Sequence, residues 1–233
     1  MGIDKNKEKD FLNIYNENSW GDKDSKSGPG SNLLQTEAIR KTLPSFIEQK
    51  KIKTILDIPC GDFYWMNIIK ADLSKVIDHY IGGEIVNELV QNNNSNYADS
   101  KFKFQLLDVT RSNLPKVDMI FCRDCLVHLS YEDIFLALKS IKKSGSNYLL
   151  TTSFLDSSRK NKNIVTGDWR PLNFQKFPFL FSPPSDMIIE ECTEDNGIYK
   201  DKSLVLWKIS KLNLSVLRFW LMLKKVKTFL RFG

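Results

Sequence analysis

KTILDIPCGDFYWM, residues 53–66, is an apolar, β-branched run closed by Pro59 and Gly61, the composition of a short strand buried on both faces that ends in a tight turn. Working outward, the same rhythm recurs. A helix is predicted near 63–70, a strand at HYIGGEI (79–85), a helix near 86–93 and a strand at FKFQLLD (102–108). VDMIFC (117–122) is a further apolar strand, YEDIFLALKSIKKS (131–144) an amphipathic helix and NYLLTTSF (147–154) another strand. Strands alternating with helices of this length predict a parallel sheet covered on both faces.

Late in the chain, MIIEEC (187–192) and SLVLWKIS (203–210) read as two strands with no helix between them. They predict an antiparallel hairpin at one sheet edge. The expected fold is therefore α/β: a Rossmann-like three-layer α/β/α sandwich on a mostly parallel, seven-stranded sheet. Residues 1–50 read as a helical extension and cap, with a polar helix at 5–17, a Gly/Ser/Pro loop at 21–31 and a helix at 33–49. Residues 51–210 form the main domain, residues 155–186 an aperiodic, aromatic lid insertion, and residues 211–233 a basic amphipathic helix.

Composition narrows the function classes. The 233 residues carry a formal charge of +6, but Lys and Arg are mixed with acids except in the last stretch, so a nucleic-acid partner is not favoured. Four cysteines, at 60, 122, 125 and 192, do not make a secreted disulfide scaffold, and the charged amino terminus lacks the apolar run of a signal peptide. A cytoplasmic setting is expected. Cys122 and Cys125 form C-x-x-C without a second pair, so they read as small buried residues, and no metal site is assigned.

Ligands of open α/β sheets bind beyond the carboxyl ends of the strands. Asp57 closes the first strand there, and Gly61 admits a close backbone approach. Glu84, at the end of the second strand, is placed to accept hydrogen bonds from the hydroxyls of a ribose. A pyrophosphate-binding turn would be glycine-rich, whereas D-I-P-C-G-D has one glycine and a second acid, Asp62. Acid beside the ligand repels a pyrophosphate and suits a cationic nucleoside, S-adenosylmethionine, better than a dinucleotide.

These motifs, with LLDVT (106–110) and DMIFCRDCLVHLS (118–130), resemble the class I S-adenosylmethionine-dependent methyltransferases over about residues 52–154. Adding SGPGS (27–31), LLTTSF (149–154), GDWRPLN (167–173) and DKSLVLW (201–207), nearly the whole chain resembles a group of bacterial small-molecule methyltransferases, several of which accompany surface-polysaccharide genes. The resemblance implies that Asp57, Pro59, Cys60 and Gly61 approach the methionine end of the cofactor, Glu84 its ribose, Asp108 and Val109 its adenine, and Arg123 its edge. The Pro59-Cys60 pair departs from the small glycines common in that group.

Methyl transfer to a hydroxyl needs a base. Asp124 and His128 follow the fourth strand four residues apart, and on a helix they would share a face, the carboxylate orienting the imidazole. A structural role for His128 is the competing reading. Asp168, Trp169 and Arg170 offer an acid, a stacking plane and a charge for a small-molecule acceptor such as a sugar, with packing as the alternative for Trp169. Ser27, Gly28, Gly30 and Ser31 are placed to close over the cofactor. The tail, residues 212–232, has two open readings: a basic amphipathic helix making peripheral contact with an anionic membrane, or a helix packed on protein. The leading expectation is O-methylation of a sugar or other small molecule in surface-polysaccharide synthesis. The alternatives are an RNA or protein methyltransferase and a non-catalytic cofactor-binding subunit.

Overall fold

The computed structural model describes residues 3–19 and 21–232, with side chains described through Lys224. Seven strands, β1 (Thr54–Asp57), β2 (His79–Glu84), β3 (Phe102–Leu106), β4 (Met119–Cys122), β5 (Tyr148–Phe154), β6 (Asp186–Ile189) and β7 (Lys202–Lys208), form one sheet in the order β3-β2-β1-β4-β5-β7-β6. Strands β1 to β5 pair in parallel, and β7 runs antiparallel to both β5 and β6. The predicted hairpin is present. Its second strand, β7, lies inside the sheet and β6 forms the edge.

The buried strands place alternate residues on opposite faces. Leu56, Ile120, Cys122, Leu149, Val205 and Trp207 join one core with helix α6 (Tyr131–Lys143). Ile55, Met119, Phe121, Leu150, Leu204 and Leu206 join the other. That second face is covered by α2 (Glu37–Gln49), α3 (Tyr64–Ile68) and α4 (Lys70–Val76), with α5 (Asn87–Tyr97) beside β2 and β3. Helix α2 begins four residues later than the sequence pattern suggested. The Asn32 side chain accepts the Gln35 amide at 2.9 Å and holds residues 32–36 as turns.

The insertion at 155–186 departs from a simple lid. Phe174, Phe179 and Phe181 are buried in the core and pack together with Trp207, Phe174 stacking on Phe181 at 5.3 Å. Only the stretch around Trp169 reaches the ligand cavity. Large aromatic area is worth more in the core than over a loop, and that decides where these rings go.

Helix α1 (Lys5–Asn16) has no fully buried residue and crosses the open end of the sheet, held by Lys7 to Asp133 at 2.5 Å and Arg111 to Asp4 at 2.5 Å. The last long helix, α7 (Ser215–Phe232), packs Leu217 and Trp220 on α6 and leaves Phe219, Met222 and Leu223 exposed. The side chains of residues 225–232, which carry much of the tail's expected basic face, lie outside the described residues. No described helix is long and apolar enough to cross a membrane.

Candidate active site

Strand order reverses between β1 and β4, and the carboxyl ends of these strands open into a cavity of about 580 Å³. Asp57 pairs in register with Gly82 on one side and Phe121 on the other, which sets it at the floor. It is buried, and the Tyr80 hydroxyl donates to its Oδ2. Burial pushes the Asp57 carboxyl up to about 8, partly offset by that hydroxyl.

The sign of this shift makes a prediction. A carboxyl whose folded value exceeds its ordinary 3.8 keeps a proton that the unfolded chain releases, so its contribution to stability is lost as pH climbs from about 4 to about 8. Asp57→Asn should raise Tm by a few degrees, about 2–4, at pH 8 and leave it unchanged at pH 4. Thermal denaturation at the two pH values checks this, and an equal shift at both would reject it.

Gly61 adopts φ +55°, and a Cβ there would come within 2.5 Å of Ser27 Oγ, so glycine is required by conformation and by space. Its amide donates to Glu84 Oε2 at 3.1 Å, and Glu84 Oε1 accepts from the Ile85 and Val86 amides at 2.7 and 3.2 Å. Burial pushes the Glu84 carboxyl up against the pull of those amides. Pro59, Cys60 and Val109 also line the cavity. The loop at 27–31 closes one side, Ser27 Oγ accepting the Asp62 amide at 3.2 Å. Asp108 is more engaged than expected: its Oδ1 accepts from both the Thr110 amide and hydroxyl, and its Oδ2 accepts the Asp4 amide of the α1 cap at 3.2 Å.

At the other end stand Arg123, Asp124, His128 and Trp169. The premise that Asp124 and His128 share a helical face fails. Asp124 has φ +49°, and a single 3-10 turn begins only at Leu126. Instead, Asp124 Oδ2 accepts from Lys202 Nζ at 2.7 Å and its Oδ1 accepts from Thr152 Oγ1 at 3.0 Å. Burial would raise its carboxyl, but Lys202 and Arg123 override this and hold it well below the usual range. Asp124 is thus an ionised, cation-held acceptor, unsuited to carry a proton.

His128 takes its orientation from a carbonyl: Nδ1 lies 3.1 Å from the Asp168 oxygen, which can only accept, so the proton sits on Nδ1 and the lone pair on Nε2. Burial pushes the imidazole below its ordinary 6.5, opposed by Asp124 and that carbonyl.

Two expectations are corrected here. Arg170 is 1% exposed and is spent on the Leu126 carbonyl at 2.9 Å, with the Val127 and Leu129 carbonyls also accepting from it. It braces the 3-10 turn and is absent from the cavity wall, because a guanidinium supplies enough donors to satisfy a turn's carbonyls. The Asp168 side chain is likewise off the wall, and its contribution is the backbone oxygen. Trp169 does line the cavity, 41% exposed.

Sequence reasoning missed Lys202, Glu190, Tyr199 and the α1 face of Phe11 and Tyr15. Lys202 did leave a signal, a lysine opening the otherwise apolar strand DKSLVLW.

No known protein family matches the chain by sequence, and no curated protein does. Solved structures do match. Phosphoethanolamine N-methyltransferase 1 of Haemonchus contortus, in complex with phosphoethanolamine and S-adenosylhomocysteine, superposes with a TM-score of 0.61 at 12% identity, over 98% of this chain and 56% of its own. The fold is that of the S-adenosylmethionine-dependent methyltransferases. Burkholderia thailandensis 1,6-didemethyltoxoflavin-N1-methyltransferase, with 1,6-didemethyltoxoflavin and S-adenosylhomocysteine bound, gives 0.58 at 12% identity over 88% of this chain and 87% of its own. Human N-acetylserotonin methyltransferase in complex with SAM gives 0.50 at 13% over 78% and 60%. The chain spans little more than half of the nematode protein.

Proposed function

We propose that the chain is an S-adenosylmethionine-dependent methyltransferase that methylates a hydroxyl of a small molecule, with His128 as the base. The observation that carries it is the set of buried acids, Asp57, Glu84 and Asp108, lining a switch-point cavity of the methyltransferase fold, with Asp57 holding a proton that an arriving cation would displace. Such a wall fits a ligand bearing a sulfonium and an ammonium and would repel a pyrophosphate. Glu84, already fixed by three backbone amides, presents its remaining lone pairs to the ribose hydroxyls. Asp57 and Gly61 bound the methionine end, Val109 and Asp108 the adenine end, and Arg123 the edge toward the acceptor.

Bound there, S-adenosylmethionine would supply an electrophilic methyl group. His128 Nε2 takes the acceptor's hydroxyl proton as the oxygen attacks, and the Asp168 carbonyl keeps the imidazole in the competent tautomer. Asp124, ionised and clamped by Lys202, orients the acceptor by accepting a hydrogen bond. A sugar acceptor and a setting in surface-polysaccharide synthesis follow from the sequence resemblance, and an exposed Trp169 beside a polar mouth suits a sugar ring.

Calorimetric titration with S-adenosylhomocysteine tests the reading. Micromolar binding is expected, weakened at least about 100-fold in Glu84→Ala, since two hydrogen bonds to a charged acceptor are lost. Absence of binding to the unmodified protein would remove the proposal.

A further inference from the structure

The acceptor end of the cavity has an unusual charge ledger for a chain of net +6. Its wall contains three basic side chains, Lys7, Arg123 and Lys202, and each is ion-paired, although the buried Arg123 Nε and Glu190 Oε1 have no hydrogen-bond partner. Lys7 donates to Asp133 at 2.5 Å. Arg123 donates to Glu190 at 2.8 Å and lies 3.4 Å from Asp124, while Lys202 donates to Asp124 at 2.7 Å and lies 3.5 Å from Glu190. The Arg123 and Lys202 side chains are only 4% and 5% exposed, so two cations and two anions close a neutral square. A phosphate or carboxylate entering here would find no cation whose charge is left unbalanced among the described residues.

Negative charge is available instead. Glu194 and Asp195 line the same mouth, Asp195 is exposed, and no described lysine or arginine forms a salt bridge with either. Beside them, Trp169 meets Tyr199 edge-to-face at 5.0 Å, and both are backed by Phe154 at 6.0 and 5.8 Å. The Arg159 guanidinium, ion-paired to Asp201, lies 5.4 Å from the Tyr199 ring and 5.3 Å from the Phe154 ring. The aromatic corner is registered to the base. The Gly167 amide donates to the His128 carbonyl at 2.9 Å, and the Asp168 carbonyl holds the imidazole. Aromatic surface with adjacent carboxylates is the chemistry that recognises ammonium groups.

We infer that the acceptor is a hydroxylated amine, an aminosugar or similar polyol whose ammonium rests between Trp169, Tyr199 and the Glu194–Asp195 pair while its hydroxyl meets His128. Phosphorylated and carboxylated analogues are disfavoured. This rests on the methyltransferase reading and narrows its substrate class.

The test is ligand-observed saturation-transfer NMR on the full chain saturated with S-adenosylhomocysteine, in mildly acidic buffer, with glucosamine, glucose and glucosamine 6-phosphate as probes. Glucosamine should bind about tenfold more tightly than glucose, and glucosamine 6-phosphate more weakly than glucosamine. The variant Glu194→Gln/Asp195→Asn, which keeps both side-chain shapes and removes only their charge, should bring glucosamine and glucose level without altering the affinity for S-adenosylhomocysteine. Equal or better binding of the phosphorylated sugar, no binding of glucosamine, or a preference that survives the double substitution overturns the inference while leaving the cofactor site intact. Failure of S-adenosylhomocysteine itself to bind instead removes the methyltransferase reading and this inference with it.

Discussion

His128→Ala should lower kcat by about 10²–10⁴-fold, the usual loss on removing a positioned general base, with the affinity for S-adenosylhomocysteine unchanged. The two effects separate because His128 lies at the acceptor end, away from Glu84 and the β1 turn. The pH profile sharpens the prediction. A base must be neutral to act, and burial holds His128 below 6.5, so the acidic limb of kcat/KM should fall at a pH lower than that of a free imidazole. In His128→Ala that limb should vanish along with the rate. Methyl transfer from labelled S-adenosylmethionine to the best amine-bearing acceptor is the assay. A variant that retains full kcat and the acidic limb would reduce His128 to a wall of the cavity and redirect attention to an acceptor atom that needs no base.

The sequence exposed those parts of this site that depend on local pattern. Asp57 and Glu84 stood out because each closes an apolar strand, where the parallel fold fixes the ligand side, and Gly61 because it sits in the turn that follows β1. The failures involve contacts that periodicity does not encode. Asp124 and His128 look like helical neighbours, but a left-handed residue and a 3-10 turn replace the helix, and the partner of Asp124 lies 78 positions away at Lys202. Arg170 looked like a charge offered to the acceptor because an arginine in an irregular stretch advertises charge. Its guanidinium is consumed by carbonyls more than 40 positions upstream. Phe174, Phe179 and Phe181 suggested a lid because no period placed them, and they complete the core instead.

Glu190→Gln should be among the most costly single changes in the protein. The Glu190 side chain is 1% exposed and serves both Arg123 and Lys202, so neutralising it leaves two buried cations with one shared anion, Asp124. Removing one partner of a buried ionic network typically costs about 3–5 kcal/mol, a large share of a domain's total stability of roughly 5–15 kcal/mol. Urea denaturation should register that loss as a lowered midpoint with little change in slope. Volume alone cannot account for it, because Gln nearly matches Glu in shape. The discriminating variant adds Lys202→Met: it returns the cluster to one cation and one anion, and it should recover much of the lost stability even though it deletes a second polar contact. A double variant weaker than the single would show that the contacts act one by one and that the neutral square has no standing as a unit. The same change bears on recognition. With Glu190 neutral, Arg123 and Lys202 have positive charge to spare at the acceptor end, and the folded fraction of Glu190→Gln should bind glucosamine 6-phosphate more tightly than the unmodified protein does.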